Sequence, residues 1–401
     1  MSKFQYKLLS DAFSGKDISA GINVLKSRQL TMSKITENFE KIFARKMGCK
    51  YAVMANSGSS ANLLALSAVI NPLFKKKLSQ GDEVLIPAIC WSTSLWPIVQ
   101  NNLKPVFVDV DLDTFNICVE DLKKKITSKT KAILLVHVLG LSSDLNKIKE
   151  IAKKNKLILI EDTCESLGAK FKGKNLGTIG DFGTYSFYYS HQITSGEGGM
   201  VVCNDSRNYH ILKSLRSHGW SRGTIFHNYF KKRYKKLDER FLFINSGYNL
   251  RPTEIQAAIA RSQFRRMSQF SKIRSENRSK IISSLTKNNK WNNQYTFLKP
   301  KKNIQPSWFG LTFLVRDDLI NKKKNFLKFL SKNGVENRPI LSGNFLNQPA
   351  SKLYKLNKKK HYFQNSQKIE DSGFFIGLHT KKLNRSDVNK LTNLLLKIEE
   401  I

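Results

Sequence analysis

With 401 residues, 40% of them hydrophobic, the chain exceeds the roughly 250–300 residues at which single cores tend to split, so two domains are expected. The formal net charge of +37 invites a polyanion-binding reading, but the lysines are scattered in runs such as 75–77, 123–125, 322–324 and 358–360 on segments with apolar opposite faces, which predicts solvated surfaces and no specific nucleic-acid partner. The first 21 residues carry charge throughout without an apolar h-region, and no window approaches about 18 uninterrupted apolar residues, so a cytoplasmic chain with no membrane span is expected.

Along the chain, apolar runs alternate with segments of helical length. YAVMAN (51–56), EVLIPA (83–88), KPVFVDV (104–110), KAILLVHVLG (131–140) and LILIED (157–162) read as strands buried on both faces, while DLNKIKEIAKKNK (144–156) has the length and polarity of a covering helix. DFGTYSFYY (181–189) and GGMVVCND (198–205) continue the sheet. The pattern predicts an α/β fold with a large, mixed but mostly parallel sheet over residues 1–250. After residue 251, Ala257, Ala260, Phe264 and Met267 follow helical spacing, and a long basic helix leads into a smaller α/β domain over 251–401. There SWFGLTFLV (307–315), VENRPI (335–340) and SGFFIGLHT (372–380) alternate with NFLKFLSKNG and the terminal SDVNKLTNLLLKIEEI.

Three segments carry chemistry. Asn56-Ser57-Gly58-Ser59-Ser60-Ala61 lies at a strand-to-helix turn, where free backbone N–H groups suit a phosphate, although Ser and Gly also cap helices that bind nothing. Glu161-Asp162-Thr163-Cys164-Glu165-Ser166 stands at the carboxyl end of a strand, the usual place for ligands of open α/β sheets; a plain helix N-cap is the alternative for Asp162. Trp91 in IPAICWSTS either stacks on a ligand ring or packs in the core. The third segment, SFYYSHQITSGEGG (186–199), places His191 ahead of a glycine turn. The five cysteines, Cys49, Cys90, Cys118, Cys164 and Cys203, are widely spaced without a CxxC pair, which predicts reduced thiols and no metal site.

Together these strings resemble the DegT-type nucleotide-sugar aminotransferases, of the aspartate-aminotransferase-like fold (PLP fold type I), over most of residues 20 to 380. NSGSSANLLAL resembles the family's phosphate turn, EDTCESLGA its pyridine-nitrogen segment, SFYYSHQITSGEGG its cofactor segment and GYNLRPTEIQAA (247–258) its subunit-boundary segment. The resemblance implies pyridoxal 5'-phosphate (PLP), with Gly58, Ser59 and Ser186 at the phosphate, Asp162 at the pyridine nitrogen, and Trp91 and Glu165 beside the ring. It also implies a homodimer with shared active sites, in which Asn249 reaches the partner's phosphate.

The family's lysine is missing. His191 stands in its place, and an imidazole cannot form the Schiff base by which a lysine tethers PLP, although it can carry a proton near neutrality. His191, with RPILSGNFLNQP (338–349) and SHGWSR (217–222), resembles a small subgroup of 3-dehydratases within the family, whose best-described member acts on GDP-4-keto-6-deoxymannose. That resemblance implies C3 deoxygenation of a GDP-linked 4-keto-6-deoxyhexose for cell-surface polysaccharide. Glutamate converts PLP to pyridoxamine phosphate (PMP), His191 is the base, and His218, Arg222 and Arg338 are substrate candidates. His137 either orients the sheet end or packs beside the cofactor. A related CDP-sugar branch needs an iron–sulfur cluster, which normally takes four cysteines; their dispersal here favours the cluster-free branch. A nucleotide-sugar aminotransferase and a non-catalytic nucleotide-sugar or polyanion binder are the remaining alternatives.

Overall fold

The computed structural model describes residues 4–10, 13–356 and 363–401, so the lysine run at 358–360 lies outside the described residues. In chain order the strands are β1 (Tyr51–Ala55), β2 (Glu83–Pro87), β3 (Lys104–Val108), β4 (Thr130–Val136), β5 (Ile158–Asp162), β6 (Lys170–Phe171), β7 (Lys174–Asn175), β8 (Phe182–Ser186) and β9 (Gly199–Cys203). They continue as β10 (Tyr295–Thr296), β11 (Ile304–Gln305), β12 (Gly310–Val315), β13 (Asn337–Arg338) and β14 (Gly373–Gly377). Seven form one sheet in the order β1-β9-β8-β5-β4-β2-β3. β3, β2, β4, β5 and β8 run parallel, whereas β9 is antiparallel to both of its neighbours, β8 and β1.

Helices cover both faces, which is why β2, β5, β8 and β9 are buried along their whole length. The run at 131–140 is the exception. β4 ends at Val136, because Leu139 adopts φ 53° and Gly140 φ 92°, left-handed conformations that turn the chain out of the strand.

The second sheet has the order β10-β12-β14-β13, and β6, β7 and β11 form a small third one. The helical stretch after residue 251 is interrupted: a helix over Glu254–Phe264 ends, Arg265 and Arg266 intervene, and the 20-residue helix Met267–Thr286 follows. The N-terminus attaches to the second sheet although it precedes the first. Tyr6 bridges Val335 in parallel, its hydroxyl donates to the Gly377 carbonyl at 2.9 Å, and its ring stacks on His379. One apolar core joins strand residues such as Leu85, Ile133 and Ile160 of the first sheet to Leu311, Phe313 and Phe374 of the second. A second, aromatic cluster gathers Phe39, Phe43, Tyr185, Phe187 and Phe264.

Lys75, Lys76 and Lys77 are exposed, while Lys322 and Lys323 donate to the carbonyls of Glu399 and Glu370 on other elements. Among the described residues, no helix is long and apolar enough to cross a membrane.

Candidate active site

A cavity of about 570 Å³ opens at the carboxyl ends of β4, β5 and β8, against the N-terminus of the helix Gly58–Val69. That size and placement suit a cofactor-sized ligand. Of the eleven candidate site residues, Gly58, Ser59, Trp91, Asp162, Glu165, Ser186, His191 and Arg338 line it.

The wall at Gly58 is built for close approach. Ser57 caps the helix by accepting from the Ser60 amide at 3.1 Å, leaving the amides of the first turn directed at the cavity. A Cβ at position 58 would lie 2.5 Å from the Ser186 Cβ, and one at Gly199 would lie 2.1 Å from the Ser57 carbonyl oxygen. The glycines of both motifs therefore let three backbone segments converge, forming a cradle of small residues that fits a phosphate.

Asp162 is buried at the cavity floor, where Oδ2 accepts from Asn62 Nδ2 at 2.8 Å and Ser94 Oγ at 2.7 Å, and Oδ1 accepts from the Cys164 amide at 3.1 Å. These bonds fix a carboxylate that can face a pyridine nitrogen. Trp91, 53% exposed, stands at the rim. The neighbouring Glu161 points the other way: it is fully buried and accepts from the amides of Gly177, Ile179 and Gly180. His137 Nε2 meets Glu161 at 2.9 Å, outside the cavity lining. Burial works to raise the Glu161 carboxyl, yet His137 and those amides hold it below its ordinary range.

His191 sits in the turn between β8 and β9, pinned by the buried side chains of Phe187 and Ile193. Its ring meets Tyr188 and Phe309 edge-on at 5.7 and 5.2 Å between centroids, and Nδ1 is buried without a hydrogen-bond partner. Burial pushes the imidazole down to about 4, so it stays neutral at pH 7 and is available as a base. Among the described residues no lysine lines the cavity.

Glu165 is pushed up to about 8, chiefly by burial and further by the charge on Asp162, against the Leu139 amide that donates to it at 3.1 Å. It is therefore a neutral acid at pH 7 and ionises as pH rises through about 8, placing a second negative charge beside Asp162. We expect kcat/KM to fall through that range in the wild-type protein and to stay level in Glu165→Gln, whose amide mimics the neutral form; a pH–rate profile of both checks this.

Asn249, His218 and Arg222 do not line this cavity. They gather elsewhere: Ser217 bridges Asn249, the His218 ring lies 5.0 Å from Trp220, and the Arg222 guanidinium lies 3.7 Å above the same indole. Several wall residues were missed in the sequence. Asn62 and Ser94 lie inside strings already singled out, one helical turn beyond the turn residues, while Leu8, Phe309 and Phe375 come from distant segments with no local signal.

An open α/β scaffold with a cradle of small residues, a buried carboxylate and no lysine among the described residues of its cavity wall is what this geometry defines. The chain belongs to the DegT/DnrJ/EryC1/StrS aminotransferase family, which matches residues 13–395. It is 36% identical over 383 residues to GDP-4-keto-6-deoxy-D-mannose 3-dehydratase of Escherichia coli O55:H7, covering 94% of this chain and 96% of that one. Among solved structures, a histidine-to-asparagine variant of GDP-4-keto-6-deoxymannose-3-dehydratase with bound GDP-perosamine superposes with a TM-score of 0.88 at 35% identity, over 98% of this chain and 100% of that one. The E. coli GDP-4-keto-6-deoxy-D-mannose-3-dehydratase with bound hydrated PLP gives 0.87 at 34%, with the same coverage.

Proposed function

We propose that the protein is a PLP/PMP-dependent 3-dehydratase of a nucleotide-linked 4-keto-6-deoxyhexose, with a GDP-linked sugar as substrate and glutamate as amino donor. The observation that carries this reading is an imidazole, neutral at pH 7, lining a cavity that has a buried carboxylate at its floor and, among the described residues, no lysine in its wall. When bound, the cofactor supplies an amine for the sugar ketone and an electron sink that acidifies its C4′ proton.

The residues divide the remaining work. Gly58, Ser59 and Ser186 hold the phosphate, Asp162 keeps the pyridine nitrogen protonated, and Trp91 covers the ring. His191 takes the C4′ proton while the C3 hydroxyl departs, and Tyr188 and Phe309 confine its ring. Arg338, half-exposed and paired with Glu336 at 2.6 Å, offers its remaining donors to the anionic nucleotide-sugar. Across the whole cycle the sugar loses its C3 oxygen, and glutamate is oxidised to 2-oxoglutarate with release of ammonia, so no external reductant is required.

Two copies complete one site in this reading. Asn249, His218 and Arg222 lie outside their own subunit's cavity, beside exposed Ile225, Tyr229, Phe241 and Phe243, an apolar surface suited to a partner subunit.

Reduction of the PLP-loaded protein with borohydride is expected to leave no pyridoxyl group on the chain, and glutamate alone should convert bound PLP to PMP with one equivalent of 2-oxoglutarate. Mass spectrometry of the reduced protein and absorbance before and after glutamate check both. A pyridoxyl-lysine at full occupancy would overturn the untethered site.

A further inference from the structure

The loop that carries His191 is tied to the second sheet region by a residue that belongs to neither. Arg274, on the long helix Met267–Thr286, is only 1% exposed, and among the described residues it has no carboxylate partner. An arginine remains charged at neutral pH even here, where burial pushes it down to about 10, and a lone buried cation opposes folding. Its hydrogen bonds show what it holds: one terminal nitrogen donates to the His191 carbonyl at 3.2 Å, the other to the Trp308 carbonyl at 3.4 Å.

Those two carbonyls matter because of their neighbours. Trp308 precedes Phe309, whose ring meets the His191 imidazole edge-on at 5.2 Å. The same strap is fastened at other points: Gln192 donates to the Ser307 carbonyl at 3.3 Å and to the Glu165 carbonyl, and the Ser307 amide donates to Gly140 at 3.2 Å. One helical turn beyond Arg274, the Arg278 guanidinium lies 4.0 Å from the Trp308 ring centre, so one face of the long helix holds both ends of this residue.

We propose that Arg274 is the positioning residue of His191: its planar fork locks the imidazole-bearing loop and the Phe309 strap into one unit, so that the ring holds a single orientation toward the cavity. Its unpaired charge acts in the same sense, since a cation beside the loop disfavours a protonated imidazole and keeps the base free. The other titratable or charged groups facing His191 are Asp162 at the end of β5, Cys164 and Glu165 in the following turn, Tyr188 and Glu197 on its own segment, and Arg338 across the cavity. Arg274 supplies the buried cation on the side of the loop packed against the helix.

This inference rests on His191 being the base, and the experiment separates the two claims. Histidine-labelled apoprotein is titrated by NMR, with the His191 signal identified by its loss in His191→Asn, and kcat and KM are measured with glutamate and the nucleotide-sugar. In Arg274→Gln the His191 titration should move upward, and kcat should fall by about 10–10²-fold with KM within about threefold of wild type, the pattern of a misplaced base. Arg274→Lys keeps the charge without the fork, so the titration should stay near wild type while kcat is only partly restored. Wild-type kcat together with an unmoved His191 titration in Arg274→Gln overturns the proposal. So does a loss in either variant that merely tracks the folded fraction measured by circular dichroism. Wild-type turnover by His191→Asn would instead remove the underlying assignment of the base, while the titrations would still read the coupling between Arg274 and the ring.

Discussion

His191→Asn is expected to preserve the fold and the cofactor affinity while lowering dehydration by about 10²–10⁴-fold, the usual cost of a lost general base. Asparagine is smaller but polar and removes the titrating ring, and the loop has anchors of its own in Phe187, Ile193 and Gln192, so the main loss is of proton transfer. The pH profile of the wild-type protein carries the same signature. An imidazole at its ordinary value would be half protonated near pH 6.5, whereas burial here brings His191 down to about 4. Protonation removes the base, so activity lost on acidification should hold until pH approaches about 4 rather than fail near 6.5. The comparison to make is the rate of 3-deoxy sugar formation from pH 4 to 8 in both proteins. Wild-type rates in His191→Asn would place the base elsewhere.

The parts of the site legible in the sequence are those whose chemistry is local. The phosphate turn, Asp162 and the His191 segment each lie in one short string, and each string sits at a strand end where the fold gathers it. Strands buried in the sheet betray themselves as apolar runs, so β1, β2, β3 and β5 were readable to within about two residues. The failures have the opposite character. The left-handed turn at Leu139 and Gly140 hid inside an apolar run, and the break at Arg265–Arg266 inside a helical one, because periodicity does not register backbone conformation. Leu8, Phe309 and Arg274 reach the site or its support from opposite ends of the chain, and no spacing rule links them to position 191. Asn249, His218 and Arg222 illustrate a different limit: residue type points to a ligand, but these side chains do not line the cavity.

His191→Lys should change the reaction as well as its rate. The wall of the cavity contains no other lysine among the described residues, so an amine introduced at position 191 would be the first covalent tether available to PLP there. Bound PLP should then acquire the long-wavelength absorbance of a protein-linked cofactor and become trappable by borohydride on the peptide spanning residues 181–205. Asp162 is untouched by the substitution, and its three hydrogen bonds from Asn62, Ser94 and the Cys164 amide do not involve the loop, so the cofactor should keep its electron sink. What the protein loses is a base neutral at pH 7; what it gains is an amine able to return a proton to C4′ on the sugar side, completing transamination. A fall in 3-deoxy ketone of about 10²-fold or more is expected, with 4-amino sugar appearing at low yield. Product analysis on GDP-4-keto-6-deoxymannose with glutamate, run beside His191→Asn, separates the outcomes. If His191→Lys forms no covalent link to PLP, the imidazole does not occupy the tethering position, and the identity of residue 191 is not what directs this scaffold toward dehydration.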